Sequence, residues 1–112
     1  MFEEVKAMLP VSGNAYDAQI ITQIKAAVLD LTTSAEITLD GAVDITRDAD
    51  TGAVTDNSTI VDELAITAIA VWCNMRIGNP PNYDKLLEAY NSLKGQMRLS
   101  SAYRKGGGTC GN

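Results

Sequence analysis

The stretch Asp48-Ala49-Asp50-Thr51-Gly52 comes closest in this sequence to a set of residues that could do chemistry. Alternating carboxylates on a tight turn are how a calcium loop begins, because a hard dication collects oxygen ligands at fixed offsets. Such a loop wants a third ligand where Gly52 stands, its glycine one place later, and a closing glutamate where Thr59 stands. Three positions fail, and a solvated turn is the simpler reading. Lys105 followed by Gly106, Gly107 and Gly108 is not a phosphate loop, since the lysine precedes the glycines and no strand leads into them. The chain has no histidine, so the usual general base and metal ligand is missing. A serine or cysteine nucleophile would need some other base, and none is arranged beside one. Cys73 and Cys110 form neither a disulfide framework nor a metal pattern. Asp62 and Glu63 fall in the first turn of a helix, where the dipole alone favours acids. Trp72 and Cys73 read as core. Tyr83 and Tyr90, seven residues apart on one helical face, read as packing. No catalytic, metal or cofactor site is expected, and the chain does not read as an enzyme.

The elements follow from spacing and punctuation. Phe2–Leu9 suits a short helix ended by Pro10. "VSGN" is a turn in which Ser12 or Asn14 caps the next helix. From Tyr16 to Leu31, the residues Ile20, Ile21, Ile24, Ala27, Val28 and Leu31 recur at helical spacing, with Asp17 complementing the dipole. Residues 32–56 change character: β-branched residues alternate around Asp40-Gly41 and Thr51-Gly52, which suits one or two small hairpins or an irregular acidic loop. Asn57, Ser58 or Thr59 caps a third helix running to Ile77. Ile60, Val61, Leu64, Ile66, Ile69, Val71 and Trp72 surround that helix, so it must be covered on most sides. Gly78 supplies a left-handed closing residue, and Pro80-Pro81 prevents continuation. Asn82 caps a fourth helix striped by Tyr83, Leu86, Leu87, Tyr90, Leu93 and Met97. The expected fold is a mainly α, small four-helix bundle at residues 1–103, with the insertion at about 32–56. A flexible Gly-rich tail is expected at 104–112.

Composition narrows the function classes. One domain fits 112 residues, and 46% hydrophobic content with 5% aromatic implies an Ala, Ile, Leu and Val core. The net charge of −5 is unevenly placed. Residues 1–75 hold three bases against twelve acids, and residues 76–112 hold six bases against two. From Ala89 onward there is no acid, a pattern often found on a face or tail that meets a partner, although helix ends also collect cations. A sequence pI near 4.5 argues against general duplex binding. "MFEEVKAMLP" is acidic and amphipathic, without the basic segment and apolar run of a signal peptide. The apolar run "LAITAIAVWC" is far shorter than the roughly 18–20 residues that span a bilayer.

The order of these elements, closing on "GNPPNYDKLLEAYNSLKGQMRLSSAYR", resembles the head–tail connector (head-completion adaptor) proteins of tailed bacteriophages. The residues that carry the resemblance are Gly78, Asn79, Pro80, Tyr83, Asp84, Leu87, Tyr90, Leu93 and Tyr103. It covers roughly residues 1–31 and 58–104. Residues 32–56 are longer and more strand-like than in a minimal family member.

The resemblance implies a helical protomer that forms a ring, commonly dodecameric, beneath the portal, made in the bacterial cytoplasm and located in the virion. The ring would extend the DNA channel and present a surface to the stopper or tail. Its partners would be its own copies, the portal, the stopper or tail protein, and DNA passing without sequence-specific contact. No membrane and no cofactor are implied. Arg98, Ser100, Tyr103, Arg104 and Lys105 would dock on the portal. Asp44, Arg47, Asp48, Asp50 and Asp56 would face the lumen or the stopper. Gly78, Asn79, Pro80 and Tyr83 would fix the helix corner. The competing reading is a small helical protein-interaction or regulatory module sharing only a bundle pattern.

Overall fold

The computed structural model describes residues 1–9, 11, 13–34, 37–60, 62–77 and 81–99. Four helices and one hairpin follow in the order α1 (Phe2–Ala7), α2 (Asp17–Leu29), β1 (Ile45–Arg47), β2 (Val54–Asp56), α3 (Glu63–Arg76) and α4 (Tyr83–Leu99). The fold is mainly helical, as the spacing of apolar residues predicts.

The core forms around α3, which packs against all three other helices. Ala65, Ala68, Ala70 and Cys73 are buried along it together with Ile66, Ile69 and Met75. Small side chains let neighbouring helices approach closely, and the isoleucines fill the remaining space. The apolar run on α2 faces this helix as its spacing requires: Ile20, Ile21, Ile24, Ala27 and Leu31 are buried and Val28 is half-buried. Each fully buried isoleucine contributes about 1.5–3 kcal/mol relative to an exposed one. After Leu29 the helix widens into a π-helical turn at Asp30–Ser34. There Thr32 Oγ1 donates to the Val28 carbonyl at 2.8 Å, a local bond that competes with regular helix geometry.

The insertion is one hairpin. β1 and β2 pair antiparallel with Ile45 opposite Asp56 and Arg47 opposite Val54. The pairing continues outward in the same register, since Asn57 and Thr59 N–H groups donate to the carbonyls of Asp44 and Ala42 at 2.7 and 2.9 Å. Thr51-Gly52 forms its tip, with Gly52 at φ +78°. Asp40-Gly41 does not make a second hairpin. Gly41 instead sits at φ +113°, where a Cβ would fall 2.7 Å from the Thr59 carbonyl carbon and oxygen. The hairpin belongs to the same core as the helices, because Ile37, Ile45 and Ile60 are buried in it.

The helix caps depart from the sequence reading. Neither Ser58 nor Thr59 caps α3: their hydroxyls accept from the Asp44 and Ala42 N–H groups and lengthen the hairpin. Asp62 is the cap, its carboxylate accepting from the Ala65 N–H at 2.9 Å. Asn57, Ser58 and Thr59, the three expected caps, all stand before the point where the chain turns into the helix, and Asp62, expected in the first turn, stands at it. At α2 the N-cap is Tyr16, with no side-chain bond, while Asn14 accepts the Asp17 N–H through its main-chain carbonyl at 3.3 Å. Helix α1 stops at Ala7 and continues to Leu9 only as a tight turn, Leu9 donating to the Lys6 carbonyl at 3.0 Å. Pro10, Ser12, Val61 and the corner residues Gly78, Asn79 and Pro80 lie outside the described residues, as do residues 100–112.

A polar contact fixes the first residues to the hairpin. The Met1 ammonium and the Phe2 N–H both donate to Asp56 Oδ2, at 2.8 and 2.7 Å, and the Ser58 N–H donates to Oδ1 at 3.0 Å. Burial works against ionisation of Asp56, but the ammonium and these N–H groups outweigh it and hold the carboxyl well below the usual range. Burial likewise lowers the Met1 ammonium, and the Asp56 and Glu4 carboxylates more than compensate, so its pKa is raised.

Two outcomes are expected from this geometry. Gly41→Ala should cost about 2 kcal/mol or more in chemical denaturation, since strained backbone and a clash with immovable main chain add. Gly52→Ala, facing only the Arg47 side chain at 3.7 Å, should cost about 1 kcal/mol. A Gly41 variant no less stable than the Gly52 variant would contradict the close approach. The Asp56 corner should also give a bell-shaped contribution to stability. Its carboxylate has a lowered pKa, so its contribution is complete above the ordinary value of 3.8 and is lost as pH falls toward the folded value. The ammonium has a raised pKa, so its contribution is complete below the ordinary value of 8.0 and is lost as pH rises through the folded value. Asp56→Asn should therefore melt lower than the parent between about pH 4 and 8 and converge with it on either side. A difference that persisted undiminished well below and well above that range would contradict the contact.

Candidate functional site

The hairpin carries four of the residues expected to face a lumen or stopper: Asp44, Arg47, Asp48 and Asp50 are all exposed. Asp48 is occupied by its own turn. Its Oδ1 accepts from the N–H groups of Asp50 and Thr51 at 2.8 and 3.3 Å, and these two bonds lower its pKa. The same turn is closed by the Gly52 N–H on the Asp48 carbonyl at 2.7 Å. The carboxylate most like a calcium ligand thus completes an Asx turn, and no group of three metal-ligating side chains occurs among the described residues. Asp56, the fifth residue of that set, is turned to the Met1 ammonium and is half-buried. Sequence reading missed this because the partners are 55 residues apart.

The second arrangement joins α2, α3 and α4. Tyr90 is 1% exposed, and its hydroxyl donates to Asp30 Oδ2 at 2.6 Å. Burial first, then the carboxylate that accepts its proton, pushes the phenol far above its ordinary range. Lys94 Nζ lies 3.5 Å from the same oxygen and 4.9 Å from the Tyr90 ring centroid. Trp72 also packs against Tyr90, with ring centroids 5.3 Å apart and planes inclined at 55°. Trp72 is half-buried rather than central. Its Nε1–H donates to Gln23 Oε1 at 3.1 Å, and the Arg76 guanidinium lies 4.3 Å from its ring. A tryptophan with a polar N–H settles where that group finds a partner, which moves it to the edge of the core. The arrangement is a bracket of two tilted rings and two cations that fixes α4 to the end of α2.

Two further groups are structural. Cys73 is buried, and burial pushes its thiol up to about 12, which removes the reactive thiolate at neutral pH. Asp17 is 4% exposed and receives Lys6 Nζ at 2.7 Å, joining α1 to α2. Its place near a helix start suggests only a dipole role in sequence. Its burial depends on where α1 folds back.

The stripe expected on α4 is covered unevenly. Tyr90 and Met97 are buried and Leu86 and Leu93 are half-buried, but Tyr83 and Leu87 are 40% and 38% exposed. Leu86 N–H donates to the Asn82 carbonyl at 3.1 Å at the start of this helix. Of the proposed docking residues, Arg98 lies exposed in the last turn of α4. Ser100, Tyr103, Arg104 and Lys105 lie outside the described residues, as does Cys110. Among the described residues no helix is long and apolar enough to cross a membrane.

The bracket generates one prediction. Tyr90→Phe keeps the ring and removes the hydroxyl, leaving a carboxylate oxygen short of a donor. It should cost about 1–2 kcal/mol in chemical denaturation with unchanged helix content. A neutral substitution would show that ring packing alone holds α4.

No curated protein and no solved structure matches the chain. A family model does match, described as phage connector protein, over residues 1–104. That span takes in every helix, the hairpin and the bracket between them, and on this match the chain belongs to the phage connector family of structural phage proteins.

Proposed function

We propose that this protein is a head–tail connector subunit that assembles into a ring, of the dodecameric kind, below the portal of a tailed phage. In this reading the ring extends the DNA channel and joins the capsid to the stopper or tail. The family match over residues 1–104 carries the proposal. Around it, the geometry suits a part whose work is positional. Helix α4 is fixed to the end of α2 by a buried tyrosine and a carboxylate, and ring closure depends on the rotation between successive subunits.

The exposed acids of the hairpin suit a channel wall or stopper surface. An acidic wall repels phosphate and lets DNA pass, whereas a basic one would hold it through released counterions. The segment Ser100, Tyr103, Arg104 and Lys105, with Arg98 at its root, docks on carboxylates of the portal, with Tyr103 as its apolar anchor. The subunit acts in the virion and is made in the bacterial cytoplasm.

Electron microscopy of the purified protein, alone and mixed with its cognate portal, tests the reading. Rings in either sample are expected. A monomer or dimer that never joins portal would favour a small interaction or regulatory module instead. A truncation after Leu99 tests the docking segment: near-parental melting with portal binding lost at moderate salt is expected, because exposed charge pairs are screened. Undiminished binding would move the docking surface to the bundle or the hairpin.

A further inference from the structure

We infer that the subunit carries both halves of a head-to-tail contact with a second copy of itself. One flank of α4 seats in the groove between α1 and α3 of the next subunit. The inference rests on the ring reading above and names the surfaces that would make the ring.

The first half is the under-covered flank of α4. Tyr83, Leu87, Lys94 and Arg98 stand at i, i+4, i+11 and i+15, which places them along one side of the helix. Its first two turns show Tyr83 and Leu87 to solvent, and its last turn carries the exposed Arg98, while Lys94 between them is half-buried against Asp30. The acids of this helix, Asp84 and Glu88, lie to one side of that line, about 70° and 110° from its mean direction.

The second half is a groove of about 320 Å³ lined by Glu4, Met8, Glu63, Ile66 and Thr67. Met8 and Ile66 supply apolar surface, and Met8 is 51% exposed. Glu4 and Glu63 supply exposed carboxylates. One ammonium, that of Met1, is shared between Glu4 and Asp56, so this corner keeps a net negative charge. Apolar surface rimmed by acids is the complement of apolar surface continued by bases.

The groove and α4 lie on opposite sides of α3. Glu63 and Trp72 are nine residues apart on α3, about two and a half turns, so they point in opposite directions. Glu63 lines the groove, while Trp72 packs against Tyr90 of α4. Complementary patches on opposite sides cannot satisfy each other within one subunit. They make a heterologous contact that propagates and closes only as a ring. The contact takes Arg98 for the neighbouring subunit and leaves Ser100, Tyr103, Arg104 and Lys105 to the portal.

A charge exchange tests this, using the full chain under conditions where the parent assembles, alone or on its cognate portal. Glu63→Lys and Arg98→Glu each place like charges across the contact and should lower assembly at least about tenfold in mass photometry and microscopy. The double variant restores opposite charges in every contact and should recover most of that loss. Leu87→Ser, at an exposed position, should weaken assembly without restoration by either charge change. Circular dichroism melts show that each variant is folded. Single variants that assemble like the parent, or a double variant no better than the singles, would overturn the contact while leaving the ring reading intact. Rings of normal size that no longer bind portal would assign the flank to the portal and overturn it too. A parent that forms no rings, alone or with portal, would remove both readings.

Discussion

The burial of α3 on nearly every side is the constraint on which the rest of the structure depends. A helix whose buried positions run Ala65, Ile66, Ala68, Ile69, Ala70, Cys73 and Met75 has no solvent face to spare. In a chain this short, it can be covered only if every other helix is laid against it. That requirement makes α1, which is only six residues long, worth keeping: Phe2 and Val5 close one side. It also draws the hairpin inward, because Ile37, Ile45 and Ile60 complete the same core.

Apolar packing is non-directional, so it brings the helices together without fixing their angles. The angles come from three polar contacts placed where elements end. Lys6 on Asp17 joins α1 to the start of α2, at 2.7 Å. The Met1 ammonium on Asp56 joins α1 to the end of the hairpin, at 2.8 Å. Tyr90 on Asp30 joins α4 to the end of α2, at 2.6 Å. In each case a carboxylate that looks solvated in sequence accepts a bond from a distant element. Charge-assisted bonds of this kind are short and directional, and they resist the sliding that an Ala-rich interface would otherwise allow.

These contacts also mark the limit of what the sequence shows. The stripe of α2 and the all-round apolar character of α3 are legible because a 3.6-residue period is a local property. One hairpin rather than two was not legible: Asp40-Gly41 and Thr51-Gly52 look alike locally. They differ only because Gly41 lies against the Thr59 backbone. The same competition explains the cap of α3, where Ser58 and Thr59 are drawn away by Asp44 and Ala42. Asp17, Asp30 and Asp56 could not be recognised as fasteners, since their partners are 11, 60 and 54 to 55 residues away. The charge asymmetry was legible in full, but its meaning depends on which faces the fold leaves open.

Helix α4 shows how those open faces arise. Of its 17 residues only Tyr90 and Met97 are fully buried, and its principal packing partner is α3. A helix about 25 Å long, fixed from its middle onward by Tyr90 and Met97, leaves its first two turns with few apolar contacts. Such a segment lies at the low-stability end of a fold, where local opening costs least. Covering Tyr83 and Leu87 from outside would add contacts where the subunit lacks them, while the bracket at Tyr90 keeps the helix direction unchanged. The subunit is therefore rigid about the α2–α4 junction and incomplete along one flank. The proposed ring contact would use both properties, the fixed direction of α4 and its open flank.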